Sequence, residues 1–378
     1  MIHRIIKKRI VNSLKPQKVI GLFGARRTGK TVLMKEIAKD FFDKKVLLVN
    51  GEDLDVAEIL SSQRIQILKN FLKGYEYLFI DEAQKIPNIG LNLKLIVDSI
   101  TDVSIFITGS SAIDLKENAG EPLTGRSLYL NIFPITQAEL NENYLVAKQN
   151  LESRLVFGSY PQVITANLEN EKKEVLESIK NGYLLKDILS LDNQKDSMFV
   201  LNLLRLIAFQ IGNTISYSEL ASNLNVNTRT VQRYLRLLEK TYILFSLPGF
   251  SRNLRKEYSK TPRYYFGDNG IRNSLVANFN KISMRDDVGK LWENYCVSER
   301  LKILHYSNIY ANHYYWRTYD QKEIDLIEEK DGFLTGFEFK WKEKRIKQPK
   351  CFLTTYKNSD FNVINRSNYL DFIVYDKE

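Results

Sequence analysis

Cysteine and histidine are nearly absent from this 378-residue sequence. Cys296 and Cys351 are the only thiols, which excludes a disulfide framework and a cysteine zinc site. His3, His305 and His313 are too scattered to suggest a metal cluster. No uninterrupted apolar run approaches the roughly eighteen residues of a membrane span. The charged start, Met1 to Arg9, is not followed by an apolar h-region, so no secretory leader is expected. Ile2, Ile5, Ile6, Ile10 and Leu14 fall instead at the spacing of a short amphipathic helix. A cytoplasmic address without membrane contact is the expectation.

What is there describes a folded chain. Hydrophobic residues make up 44% and charged residues 26%, the balance of a globular protein, and the length predicts two or three domains. The formal net charge of +10 suits a polyanionic partner. Basic residues thicken from Arg229 to Arg263 and include Arg233, Arg236, Lys240, Arg252, Arg255, Lys256 and Lys260. A solvated basic face and a nucleic-acid surface both fit that run.

The stretch that organises the chain is Val19 to Thr31. Val19-Ile20-Gly21-Leu22-Phe23 reads as a buried strand, Gly24 to Thr31 fits G-x-x-x-x-G-K-[ST], and Val32 to Ala38 switches to helical spacing. The two glycines let the loop Gly24-Ala25-Arg26-Arg27-Thr28-Gly29 curl with its N–H groups turned toward phosphate oxygens. The N-terminus of the next helix adds partial positive charge. Lys30 is placed to reach the β- and γ-phosphates, and the Thr31 hydroxyl to ligate Mg²⁺. ATP with Mg²⁺ is the expected ligand.

A second apolar strand, Tyr77 to Ile80, ends in Asp81 and Glu82. Asp81 is placed to hold Mg²⁺ beside Thr31, and Glu82 to polarise an attacking water as a general base. The strand Val103 to Thr108 runs into Gly109-Ser110-Ser111. In P-loop ATPases with a strand inserted between the two motifs, a polar residue here meets the γ-phosphate or the water; Ser110 is the first choice and Thr108 the second, and a simple Ser/Gly turn fits the stretch equally. Arg126, in Leu-Thr-Gly-Arg-Ser, is a candidate finger toward the γ-phosphate, in cis or from a neighbouring subunit, and equally a surface arginine.

Gly-Ala-Arg-Arg-Thr-Gly-Lys-Thr, Phe-Ile-Asp-Glu-Ala-Gln, Ile-Thr-Gly-Ser-Ser, Leu-Thr-Gly-Arg and Phe-Pro-Ile-Thr-Gln-Ala-Glu-Leu follow one another in that order. The series resembles a prokaryotic AAA-type ATPase family that carries a C-terminal domain of unknown function. The likeness runs on through Phe157-Gly158-Ser159-Tyr160-Pro161-Gln162-Val163, where Ser159 and Gln162 replace a glycine and a glutamate usual in the family. The resemblance implies an ATPase motor or switch, with an oligomer as one option.

Beyond the ATPase motifs, residues from about 140 to 197 have a helical pattern suited to a lid. Ser216 to Leu224 and Thr228 to Lys240 read as a helix-turn-helix, and Tyr242 to Leu247 as a strand, so a winged helix is expected. Val231, Tyr234, Leu235 and Leu238 should face inward, leaving Arg229, Gln232, Arg233 and Arg236 as candidate contacts to duplex DNA. Winged helices also dock proteins.

Near the C-terminus, Gly289 to Leu304 reads as a helix bearing Glu293 and Glu299, and two strands flank Lys330-Asp331-Gly332. Glu293, Asp325, Glu338 and Lys340 then match the helix-Glu, strand-Asp, Glu-x-Lys pattern of restriction-endonuclease-like PD-(D/E)xK folds. Convergence of the four into one metal-capable pocket is the expectation. Cleavage and a degenerate, binding-only copy of the fold both fit the pattern.

The expected architecture is α/β: a P-loop ATPase core over 1–140, a helical lid over 141–197, a winged helix over 198–262 and an endonuclease-like domain over 263–378. The expected function is ATP hydrolysis coupled to action on DNA. The alternative is an ATP-dependent switch whose C-terminal modules bind protein partners.

Overall fold

Strands covered on both faces are apolar throughout rather than alternating, and this explains the centre of the first sheet. In β1 (Val19–Phe23) every residue is buried, as in β4 (Ser104–Gly109), while β2 (Val46–Asn50) and β5 (Ser127–Asn131) are half-exposed. The sheet order is β2-β3-β4-β1-β5, with β3 spanning Tyr77–Asp81, and every neighbouring pair is parallel. The inserted strand, β4, thus separates the strand that feeds the glycine loop from the strand that ends in Asp81. Helices α1 (Ile6–Ser13), α2 (Lys30–Asp40), α3 (Leu54–Ser61), α4 (Ile65–Phe71) and α5 (Ile89–Ser99) belong to the same unit. Helix α2 buries Leu33, Met34 and Ile37; α1 buries Ile6 and Ile10 and ties its Lys7 to Glu36 at 2.7 Å and Asp40 at 3.0 Å.

The computed structural model describes residues 2–110, 123–184, 197–251, 261–318, 321–343 and 346–374. The chain divides into two compact units, Met1–Phe133 and Pro134–Glu378. Arg252, Arg255, Lys256, Lys260 and Ser111 lie outside the described residues. Among the described residues, no helix is long and apolar enough to cross a membrane.

The second unit begins with α6 (Tyr144–Phe157), α7 (Pro161–Thr165) and α8 (Glu169–Ser178), followed by a π-helical stretch over Ile179–Leu184. These are the helices expected as a lid. Here Gly158, at φ 73°, lies against the Asp268 carboxylate, which accepts from the Ser159 N–H at 2.7 Å. Next come α9 (Ser197–Phe209), α10 (Tyr217–Asn223) and α11 (Thr228–Lys240), then an antiparallel pair, β6 (Leu244–Leu247) and β7 (Arg263–Phe266). Helix α11 starts where Asn227 accepts from the Thr230 N–H at 2.8 Å, and it buries Val231, Tyr234, Leu235 and Leu238, the four expected.

Helices α12 (Asn269–Leu275) and α13 (Val288–Tyr306) lead into a four-stranded sheet of order β11-β10-β9-β8. Its strands are β8 (Asn312–Arg317), β9 (Glu323–Lys330), β10 (Phe333–Phe339) and β11 (Ser359–Ile364), with α14 (Lys350–Thr355) and α15 (Tyr369–Ile373) beside them. Asp331 and Gly332, at φ 52° and 78°, make the tight turn between β9 and β10.

Candidate functional site

The first site lies at the carboxyl edge of the parallel sheet. Gly24 follows β1 so closely against the Ile132 carbonyl that any side chain there would collide with backbone. Gly29, at φ 98°, caps α2 in the left-handed region, so the loop can turn directly into the helix. Inside this curl the Lys30 ammonium donates to the carbonyls of Gly24 at 2.8 Å and Ala25 at 3.0 Å. Thr28 closes the loop by donating to the Ala25 carbonyl at 2.8 Å.

Thr31, in the first turn of α2, donates its hydroxyl to Asp81 Oδ2 at 2.7 Å. The other Asp81 oxygen accepts from the buried Thr108 hydroxyl, which itself receives the Glu82 N–H at 3.3 Å. Both Asp81 oxygens are therefore engaged, whereas Glu82 stands one step outward with a left-handed backbone, φ 51°. Holding a glutamate there costs on the order of 1 kcal/mol, a strain typical of functional positions. Gln84 donates to Glu82 and, at 3.3 Å, to the Ser110 hydroxyl, while its own Oε1 has no hydrogen-bond partner among the described residues. The residues expected at this site, Gly24 to Thr31, Asp81, Glu82 and Ser110, come together. Gln84 was missed; its place two residues after Glu82 in Asp-Glu-Ala-Gln was the available signal. The oxygen donors of Thr31 and Asp81 have the chemistry that Mg²⁺ takes.

Arg126 is not brought there. It precedes β5, its carbonyl accepts from the Val19 N–H at 2.9 Å at the start of β1, and its guanidinium pairs with Asp98. That is the opposite edge of the sheet from the loop after Phe23. A second arginine does contact the loop: buried Arg4 donates to the Thr28 carbonyl at 2.8 Å and the Phe133 carbonyl at 2.7 Å. Arg4→Ala is expected to strip these carbonyls of a charged donor. It should lower stability in urea unfolding by about 1–3 kcal/mol and weaken nucleotide binding; unchanged unfolding would refute the brace.

The second site is in the other unit. Asp325 on β9, Glu293 on α13, and Glu338 with Lys340 at the end of β10 are gathered, but around a residue not expected there. Arg263, the first residue of β7, is buried, with Nη1 3.6 Å from Asp325 and 4.0 Å from Glu293 and Nη2 2.6 Å from Glu323. Its inclusion in the basic surface run is thus corrected: the acids hold it inside. Tyr265 donates to Glu293 at 2.8 Å, the Phe339 N–H to Asp325 at 3.0 Å, and Lys340 to Glu338 at 2.7 Å. Burial, then the charge of Asp325, pushes Glu293 up to about 7. Burial also raises Asp325 and Glu338, against the pull of Arg263 and Lys340. Lys340 is raised too: burial opposes its charge, but Glu338, Asp325 and Glu293 outweigh it. The metal-capable pocket expected from Glu293, Asp325 and Glu338 does not form as such. No group of three or more His, Cys, Asp or Glu side chains among the described residues is arranged to hold a metal ion, and a guanidinium stands among these acids. Glu299 points elsewhere, accepting from the Gln137 N–H at 2.7 Å and from Lys302 at 2.9 Å.

On α11, Arg229 and Arg236 are exposed, while Gln232 and Arg233 are half-buried, with the Arg233 guanidinium 5.2 Å from the Tyr234 ring centre.

Residues 16–141 match a family model described as an AAA domain. The first unit is thus a parallel α/β sheet domain most of which is similar to the AAA domain model. Residues 148–311 and 288–375 match two further models, each described as a domain of unknown function. An uncharacterized protein of Mycobacterium tuberculosis is 26% identical over 336 residues, covering 88% of this chain and 72% of that one. One from Methanocaldococcus jannaschii is 27% identical over 278 residues, covering 68% of this chain and 63% of the relative. Among solved structures, AMPPCP-bound DnaA from Aquifex aeolicus is similar at 15% identity and a TM-score of 0.30, over 62% of this chain and 86% of that one.

Proposed function

We propose that the chain binds and hydrolyses ATP at the Thr31–Asp81–Glu82 edge and acts on DNA through its second unit. The observation that carries the first half is the division of labour between two adjacent acids. Asp81 accepts from the hydroxyls of Thr31 and Thr108, which suits it to the metal position, and Glu82 is left to act on water. Mg²⁺ held by Thr31 and Asp81 would offset charge on the phosphate oxygens. Lys30 would exchange its two loop carbonyls for phosphate oxygens. Arg126, across the sheet from the loop, would serve as a finger only toward a neighbouring subunit.

The DNA half rests on α11 and the β6–β7 pair behind it, read as a winged helix, with residues 263–378 as the endonuclease-like domain and 141–197 as the lid. Arg229, Arg233 and Arg236 lie at helical spacings that share one stripe, next to Gln232. ATPase rate with and without duplex DNA tests the coupling; a DNA-independent rate would count against it. If the stripe meets phosphates, binding should weaken with salt at about −0.9 per phosphate neutralised. Replacing both exposed arginines, Arg229 and Arg236, by alanine should flatten that slope by about two units. An unaltered slope would remove α11 from the DNA surface. The alternative, an ATP-dependent switch that docks proteins, is favoured by the Arg263-filled acidic cluster, which suits binding better than cutting.

A further inference from the structure

The acidic cluster of the second unit already contains its counter-ion. Arg263 reaches it from β7, and three carboxylates from two elements meet its guanidinium: Glu293 from α13, and Glu323 and Asp325 from β9. The register that pairs Phe337 with Leu326 brings Asp325 level with Glu338, so two like charges face each other across the β9–β10 ladder. Such a pair needs positive charge beside it. Lys340 supplies some at Glu338, and Lys290 lies 3.4 Å from Glu293. Arg263 supplies the part that is buried, with the Tyr315 ring 4.7 Å from its guanidinium carbon.

We infer that Arg263 excludes a divalent cation from the Glu293–Asp325–Glu338 cluster, which is a latent cation site closed by a side chain. A Mg²⁺ or Mn²⁺ ion needs carboxylate oxygens at about 2.0–2.1 Å for the smaller ion. At that range from Asp325 or Glu293 it would stand within a few ångströms of a guanidinium that cannot lose its proton. Two cations so close in a desolvated site repel strongly. The Asp325 oxygens are also occupied on both sides: Oδ2 accepts from the Phe339 N–H and Oδ1 faces Arg263. The inference stands on this geometry alone and does not depend on ATP hydrolysis at the other site.

The test is a Mn²⁺ titration of the full-length protein without nucleotide, with free Mn²⁺ followed by electron paramagnetic resonance. Wild type and Asp325→Asn should give superimposable isotherms; asparagine keeps an oxygen for the Phe339 N–H. Arg263→Met should gain one equivalent of bound Mn²⁺, lost again in the Arg263→Met/Asp325→Asn double variant. A wild-type equivalent that disappears in Asp325→Asn would overturn the inference, because the ion would then already be bound beside Arg263. A folded Arg263→Met that gains nothing would overturn it too. If Arg263→Met fails to fold, the wild-type and Asp325→Asn comparison decides alone.

Discussion

Glu82→Gln is expected to keep nucleotide affinity while lowering turnover roughly 10²–10⁴-fold, the usual worth of a general base. The expectation follows from what each acid touches. Asp81 holds the Thr31 and Thr108 hydroxyls, so its loss would disturb the metal position and the strand end together. The Glu82 carboxylate accepts instead from Gln84. A glutamine oxygen can accept the same hydrogen bond, so the left-handed backbone at position 82 and the Gln84–Ser110 contact need not change. Phosphate release at saturating ATP, with a separate nucleotide titration, separates the two effects. A parental rate would show that Glu82 is not the base. A lost affinity would show that it holds nucleotide instead.

How far the sequence disclosed these sites depends on how locally each was written. The glycine loop, Lys30 and Thr31 lie within eight consecutive residues, and a strand end carries Asp81 and Glu82 side by side, so pattern and chemistry were read together. Arg126 was legible too, by a different rule. In a parallel sheet a residue that precedes a strand lies at the edge opposite a loop that follows one, and Arg126 precedes β5 while Gly24 follows β1. Motif order alone hid that polarity. Arg263 had no local signal of its role. It sits in Arg-Tyr-Tyr-Phe at the head of a strand, next to a basic run, and its partners come from α13 and β9 much later in the chain. Only tertiary packing brings a guanidinium to the acids, and the same packing replaces an expected metal pocket by a buried ion cluster. The four inward residues of α11 were legible because their spacing is the helix period itself.

Glu293→Gln should stabilise the protein several-fold more at pH 8 than at pH 5. Glu293 is buried, with a folded value of about 7 against an ordinary 4.5. Tyr265 and Arg263 face it from β7, Asp325 from β9, and Lys290 from its own helix; Lys340 lies within its field. Between about 4.5 and 7 the folded chain therefore holds a proton that the unfolded chain has released. Stability falls as pH rises through that window, and the deficit is complete above it. At about 1.4 kcal/mol per pH unit, the full effect is on the order of 3 kcal/mol. Glutamine carries no charge to desolvate, and its side-chain oxygen can still accept from the Tyr265 hydroxyl. Asp325 and Glu293 feel each other's charge, so the difference between the two curves measures position 293 together with its coupling to Asp325. Urea unfolding at pH 5 and pH 8 measures it directly. A stability difference equal at both pH values would mean that Glu293 is already ionised at pH 5, held so by Arg263 against its burial.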